Sequence, residues 1–242
     1  MAEPLLPAGV ATPYQTNTNS RESQYSDHIT VWIDAHIGAD NEYETLKSKF
    51  NDNVQVLKTH KKEEGLDDES MSFLCSDPEM LRKLSDECYC LKYFCEIPRA
   101  LEFIRQNGNK KLFFISSGTI GRAVVPQIAD LVQIHGIYIF CMDISKQVDW
   151  AAEYAEQITA MLVHQDDLLK RLTRDIADYL EKKGDQHKAR DQTIEAKNCY
   201  AWTKKLLLRA QDLGDKWVGK PLETIERKIN EMQSYAITPS QA

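Results

Sequence analysis

Three short runs constrain this chain more than any other feature: ITVWID at 29–34, KLFFIS at 111–116 and IYIFCM at 137–142. Each is rich in β-branched, aromatic and aliphatic residues. Six residues make a full strand but fewer than two helical turns. Strands apolar on both faces belong in a parallel sheet, because a strand with one wet face alternates instead. The segments between these runs are long enough to cross back over the sheet as helices, and such crossovers require a layered α/β architecture.

The intervening sequence fills in that plan. Residues 41–50 read as a short helix capped by Asp40 or Asn41, and 54–57 as a second strand. A charged stretch from His60 to about Glu87, including KKEEGLDDES, reads as a solvated insertion near 60–87, with Pro78 opening a short helix inside it. Residues 97–106 form a helix with Pro98 in its first turn, stopped by Asn107-Gly108-Asn109. Residues 117–121 read as a loop. A helix at 122–132 follows, which accommodates Pro126 if that proline falls in the first turn. Residues 150–158 read as a helix and 160–163 as a short fifth strand. Five strands alternating with helices predict a parallel flavodoxin-like sheet of order 2-1-3-4-5.

From Asp166 to Met232 the pattern is helical. Leu168, Leu169, Leu172, Ile176 and Leu180 recur at helical spacing, and Gly184-Asp185 reads as a break. A second helix carries Ala189, Ile194, Ala196 and Tyr200, a third Trp202 and Leu206, and a last one spans 222–232 after Gly214, Gly219 and Pro221. The organisation is therefore a disordered leader at 1–27, an α/β domain at 28–166, a helical extension at 167–233 and a tail at 234–242. The leader has no basic start and no long apolar run, and no stretch is long and apolar enough for a membrane span, so the expected location is cytoplasmic. A formal net charge of -7 repels phosphate backbones and argues against nucleic acid as a general partner.

In open α/β sheets ligands bind at the carboxyl ends of the strands where the order reverses. Here that point lies between the first and third strands. The candidate ligand-binding residues are Asp34 at one side and Ser116, Ser117, Gly118, Thr119, Gly121 and Arg122 at the other, joined by Asp143 after the fourth strand. Small residues leading into a helix start let an anion approach backbone amides, and Arg122 adds positive charge. The sequence SSGTIG is neither the P-loop nor the dinucleotide fingerprint. No catalytic set, cofactor or metal is assigned. Cys88, Cys90 and Cys95, with Cys75 and His60 upstream, lack the paired spacing of a zinc site, and the six cysteines are expected as half-buried free thiols. Asp166 and Asp167 are expected to cap the following helix and complement its dipole.

The pattern over 28–166 resembles bacterial receiver domains. That resemblance implies acids after the first strand, an aspartate phosphoacceptor ending the third, Ser or Thr ending the fourth and Lys ending the fifth. Asp34 matches one of the acids. Ser116-Ser117 stand in place of the phosphoacceptor, Cys141-Met142-Asp143 end the fourth strand, and His164 lies near the end of the fifth. The match is thus to a pseudo-receiver without aspartyl phosphotransfer. A TIR-type signalling domain shares the architecture, and no glutamate here is assigned to its NAD-cleaving role. Residues 176–200, through Ala177, Leu180, Gly184, Asp185, Ala189 and Ala196, resemble one tetratricopeptide-type hairpin. VWIDA, FFISSGTIG and IYIFCMD followed by such helices also resemble an uncharacterised invertebrate module, found in bdelloid rotifers ahead of tetratricopeptide or ADP-ribosyltransferase regions. The expected function is non-catalytic signalling or scaffolding through a protein partner or self-association. A nucleotide- or phosphate-binding enzyme or sensor, using the crevice between Asp34 and the Ser116–Arg122 segment for a small anion, is the alternative.

Overall fold

The computed structural model describes residues 28–35 and 91–234. The helix at 41–50, the strand at 54–57, the charged insertion, the leader, the tail from 235, Cys75, Cys88, Cys90 and His60 lie outside the described residues. The described chain divides into two compact units, one running to Met161 and one starting at Leu162.

The first unit is an α/β sheet. Its strands are β1 (His28–Ile33), β2 (Leu91–Phe94), β3 (Lys111–Ser117), β4 (Ile134–Phe140) and β5 (Ile158–Leu162), ordered β2-β1-β3-β4-β5. Strand β1 runs parallel to β2 and to β3, and β3 parallel to β4. This is the expected flavodoxin-like order. The strand beside β1 corrects the sequence reading: among the described residues it is Leu91–Phe94, a segment not assigned to any element above. Its LKYF sequence is short and carries a lysine, so it lacks the apolar run that marks the other strands.

All six residues of β1 are buried, as are Leu112–Ser116 of β3, which is what a central parallel strand requires. Helix α1 (Ile97–Gln106) begins with Pro98 in its first turn and buries Ala100, Leu101 and Ile104, a stripe spaced for one helical face. Helix α2 (Gly118–Ile128) buries Gly118, Gly121, Val124, Val125 and Ile128. Two expectations fail here. Residues 118–121 are already helical, so SSGTIG is not a loop. Pro126 sits in the last turn of α2, not the first. Its missing N–H removes one bond to the turn before, and the helix ends two residues later, where the loss matters least. After β4 come a 3₁₀ turn (Ile144–Lys146), a one-turn helix α3 (Val148–Ala151) and a second 3₁₀ turn (Ala152–Tyr154), replacing the single helix expected at 150–158.

The second unit has three helices: α4 (Gln165–Lys188), α5 (Thr193–Asp212) and α6 (Gly219–Ser234). Gly184-Asp185 does not break the first of these, and the expected second and third helices are one. Gly184 is needed for contact instead. A Cβ on it would meet the Tyr200 ring at 2.6 Å and Cys199 Cβ at 3.1 Å, so its bareness lets α4 and α5 touch. The turn between them lies at Ala189–Gln192. Asp191 adopts φ 58°, and the Asp191 and Gln192 amides donate back to the Lys188 and His187 carbonyls at 3.1 and 3.0 Å. That is the Schellman closure usually given to glycine. His164, not an aspartate, occupies the N-cap of α4, while Asp166 and Asp167 do lie in the first turn, where they complement the dipole.

Candidate functional site

The register fixes which residues meet at the carboxyl edge of the sheet. Ile33 of β1 pairs with Ser116 of β3, so Asp34 stands opposite Ser117 at the carboxyl edge of the sheet. Asp34 is buried, and its backbone N–H donates to the Phe94 carbonyl at 3.1 Å, extending the pairing of β1 with β2. Side chains alternate along a strand. Asp34 therefore shares the face of Trp32, whereas Ser116 shares the face of Ile33. By that alternation Ser117, not Ser116, is the β3 residue on the face of Asp34.

Ser116 is fully buried, and its hydroxyl has no hydrogen-bond partner. It lies beneath α2, where a Cβ on Gly121 would meet Ser116 Oγ and Ile139 Cδ1 at 2.9 Å and the Trp150 ring at 3.3 Å. Ser116 thus faces a packed helix. Ser117 is the N-cap of α2 in an extended conformation and makes no side-chain cap bond; Thr119 and Arg122 are exposed on the first turn.

The helix start is covered by a residue the sequence reading did not single out. A Cβ on Gly118 would meet Gln147 Cδ at 2.6 Å and Nε2 at 2.9 Å, so the Gln147 amide lies directly against the first residue of α2. The Trp150 indole N–H donates to Gln147 Oε1 at 2.9 Å and holds the side chain there. The spacing of Gly118 and Gly121, three apart on one helix face, is the local signal that something packs closely on this face. It does not say what.

Asp143 is not aimed at a ligand either. It caps the following 3₁₀ turn, accepting from the Ser145 amide at 3.0 Å and the Ser145 hydroxyl at 2.6 Å, with Lys146 at 3.5 Å. The Ser145 hydroxyl, above all, holds its carboxyl below the usual carboxylate range. Burial pushes the neighbouring Cys141 thiol up, away from a reactive thiolate. Cys141 and Cys199 are half-buried, as expected, and Cys95 is exposed; none of the three is in a disulfide. Among the described residues no cluster of three or more His, Cys, Asp or Glu side chains could hold a metal ion, and no helix is long and apolar enough to cross a membrane.

The helical unit joins several polar side chains in a partly exposed network. Lys228 of α6 donates to Asp185 Oδ1 and Oδ2 and to Glu181 Oε1, each at 2.7 Å, and Tyr200 of α5 donates to Asp185 Oδ1 at 2.8 Å. Burial, reinforced by the Asp185 carboxylate, raises the Tyr200 hydroxyl far above its ordinary value. Burial alone would lower Lys228; the bonds to Asp185 and Glu181 outweigh it and leave the ammonium raised. One node ties three helices together. Comparison of the chain with protein-family models, with curated proteins and with solved structures finds no match.

Proposed function

We propose that this chain is a non-catalytic signalling or scaffolding protein, an intracellular pseudo-receiver whose α/β unit and helical extension act through protein–protein contacts. One observation carries the reading. Where a working receiver needs a phosphoacceptor carboxylate beside an open pocket, this chain has a serine turned under α2 and a glutamine packed against Gly118. Phosphoryl transfer requires groups that converge on the reacting phosphorus. Ser116 is packed beneath α2 and the Asp143 carboxylate is engaged by Ser145, so neither is presented to a reacting phosphorus.

The test is a search for the opposite behaviour. The purified protein, mixed with nucleotides, acetyl phosphate and inorganic phosphate at millimolar concentration, should show no turnover and no rise in thermal midpoint. A ligand that bound the native state would raise that midpoint by mass action. Turnover of a nucleotide or phosphodonor that is lost on Asp34→Ala would overturn the proposal.

A further inference from the structure

We propose that the loop joining α5 to α6 is a docking site for an acidic segment of a partner protein, with Trp217 as its apolar anchor and Lys216 and Lys220 as its charge contacts. The inference rests on the reading of the chain as a protein-binding module and names the chemistry of the partner.

The loop is built to hold one conformation. Helix α5 ends in a Schellman closure: Gly214 adopts φ +82°, its amide donates to the Gln211 carbonyl at 2.8 Å, and the Asp215 amide donates to the Ala210 carbonyl at 2.9 Å. Asp215 is buried, and both its carboxylate oxygens are engaged. Oδ2 accepts from Arg174 at 3.2 Å, and Oδ1 accepts from the backbone N–H of Trp217 at 2.9 Å. On the other side Val218 is buried, and its carbonyl receives the Leu222 amide at 2.9 Å as α6 begins. The backbone of Trp217 is therefore fixed from both sides, yet its side chain is 79% exposed.

A scattered surface hydrophobe needs no explanation. Trp217 differs because a desolvated ion pair, which costs free energy to bury, holds its backbone in place. A pre-positioned tryptophan contributes large contact area while losing few rotamers on binding, which is why the residue dominates interface hot spots.

The surroundings select the partner. Lys216 and Lys220 are exposed and have no acidic partner among the described residues. The indole N–H is a donor only. All three groups seek acceptors, so the complement is a segment carrying carboxylates around an apolar side chain. An anionic membrane fits less well. Ile194, the other strongly exposed large apolar residue of α4–α6, lies at the far end of α5, about 27 Å away along its axis, so a flat membrane surface gains no second apolar contact near Trp217.

The experiment uses the full chain and a labelled ten-residue peptide of Glu and Asp with two leucines, followed by fluorescence anisotropy at low salt. The expected result is saturable binding that weakens at least tenfold with Trp217→Ala and with the double change Lys216→Glu, Lys220→Glu, each checked for native circular dichroism. The same peptide with lysines replacing its acids should not bind. Asp215→Ala, which removes the acceptor of the Trp217 amide without touching the contact residues, should weaken binding several-fold. Emission provides a second readout. Trp32, Trp150 and Trp202 are 1%, 8% and 3% exposed, so quenching by acrylamide reports Trp217, and the acidic peptide should reduce it. Wild-type affinity in Trp217→Ala, absence of peptide binding, or shielding of Trp217 by phosphatidylserine vesicles instead of the peptide would each overturn the site. Those outcomes leave the non-catalytic reading standing, since only turnover or a crevice ligand removes that.

Discussion

The two units solve one packing problem with opposite treatment of the polar group involved. In each, a glycine lets a helix press against a neighbouring element over a buried hydroxyl. Under Gly121 the hydroxyl is Ser116, fully buried and without a hydrogen-bond partner. Beside Gly184 it is Tyr200, also buried, donating to Asp185 in a node shared with Lys228 and Glu181. A buried unsatisfied hydroxyl costs about 1–3 kcal/mol, whereas a hydrogen bond to a charged group contributes about 1.5–3 kcal/mol. At these two contacts polarity is a burden beneath Gly121 and a fastening beside Gly184, while Asn198 Oδ1 and Trp202 Nε1 of the helical unit are, like Ser116 Oγ, buried without a hydrogen-bond partner among the described residues. The sheet edge, where a ligand was sought, holds the less well satisfied group, and the helical extension holds the network that Tyr200 joins.

Substitutions at the two glycine contacts test that contrast, beginning with the largest effect. Gly184→Ala places a methyl group 2.6 Å from a ring carbon of Tyr200, an atom with no room to retreat. Overpacking of this kind costs about 1–3 kcal/mol, partly offset by the roughly 1 kcal/mol that alanine gains over glycine inside a helix. We expect a net loss of about 1–2 kcal/mol in urea unfolding followed by helical circular dichroism. A neutral result would mean that α4 and α5 can separate freely.

Tyr200→Phe removes the hydroxyl and keeps the ring. It should cost about 1–1.5 kcal/mol, because Asp185 loses a donor but retains Lys228. The pH dependence carries the same sign for both partners. Tyr200 and Lys228 are each raised above their ordinary values of 10.0 and 10.5. A raised folded value gives stability that is fully present below the unfolded value and lost as pH rises towards the folded one. Stability of the helical unit should therefore fall above about pH 10, and the fall should be shallower in Tyr200→Phe. Alkaline titration of the urea midpoint measures it.

Ser116→Ala goes the other way. Removing a buried hydroxyl with no partner should leave stability unchanged or raise it by up to about 1 kcal/mol. A loss greater than that would show that the hydroxyl has a role in the native protein. The smallest effect belongs to Gly118→Ala. The added methyl meets only the end of the Gln147 side chain, which can swing away. Stability should change by less than about 0.5 kcal/mol, as for surface substitutions in general. Exposure of the Trp150 indole, freed from Gln147, should register as increased acrylamide quenching.

Much of the sheet was legible in the sequence. The runs at 29–34, 111–116 and 137–142 became β1, β3 and β4 with boundary shifts of one to three residues, and the helix at 97–106 kept its limits. These elements announce themselves because apolar period and length are local properties. Leu91–Phe94 did not, since four residues with a lysine among them carry almost no period. In the helical part the glycine at 184 was recognised as small but read as a break. Breaking and close approach leave the same mark in a sequence, and only the position of Tyr200 distinguishes them.

The site was legible by place and not by content. Strand order located Asp34 and Ser117 on the same edge, and the register of Ile33 with Ser116 agrees. Composition and local pattern alone determined that this chain builds a parallel α/β sheet followed by helices. Tertiary structure alone decided that Ser116 faces Gly121, that Gln147 lies on Gly118, and that Asp215 pairs with Arg174. The reason is one of range. Burial period is written along a single element, but which side chain meets which is fixed by the crossing of elements far apart in sequence, and no local pattern records that geometry.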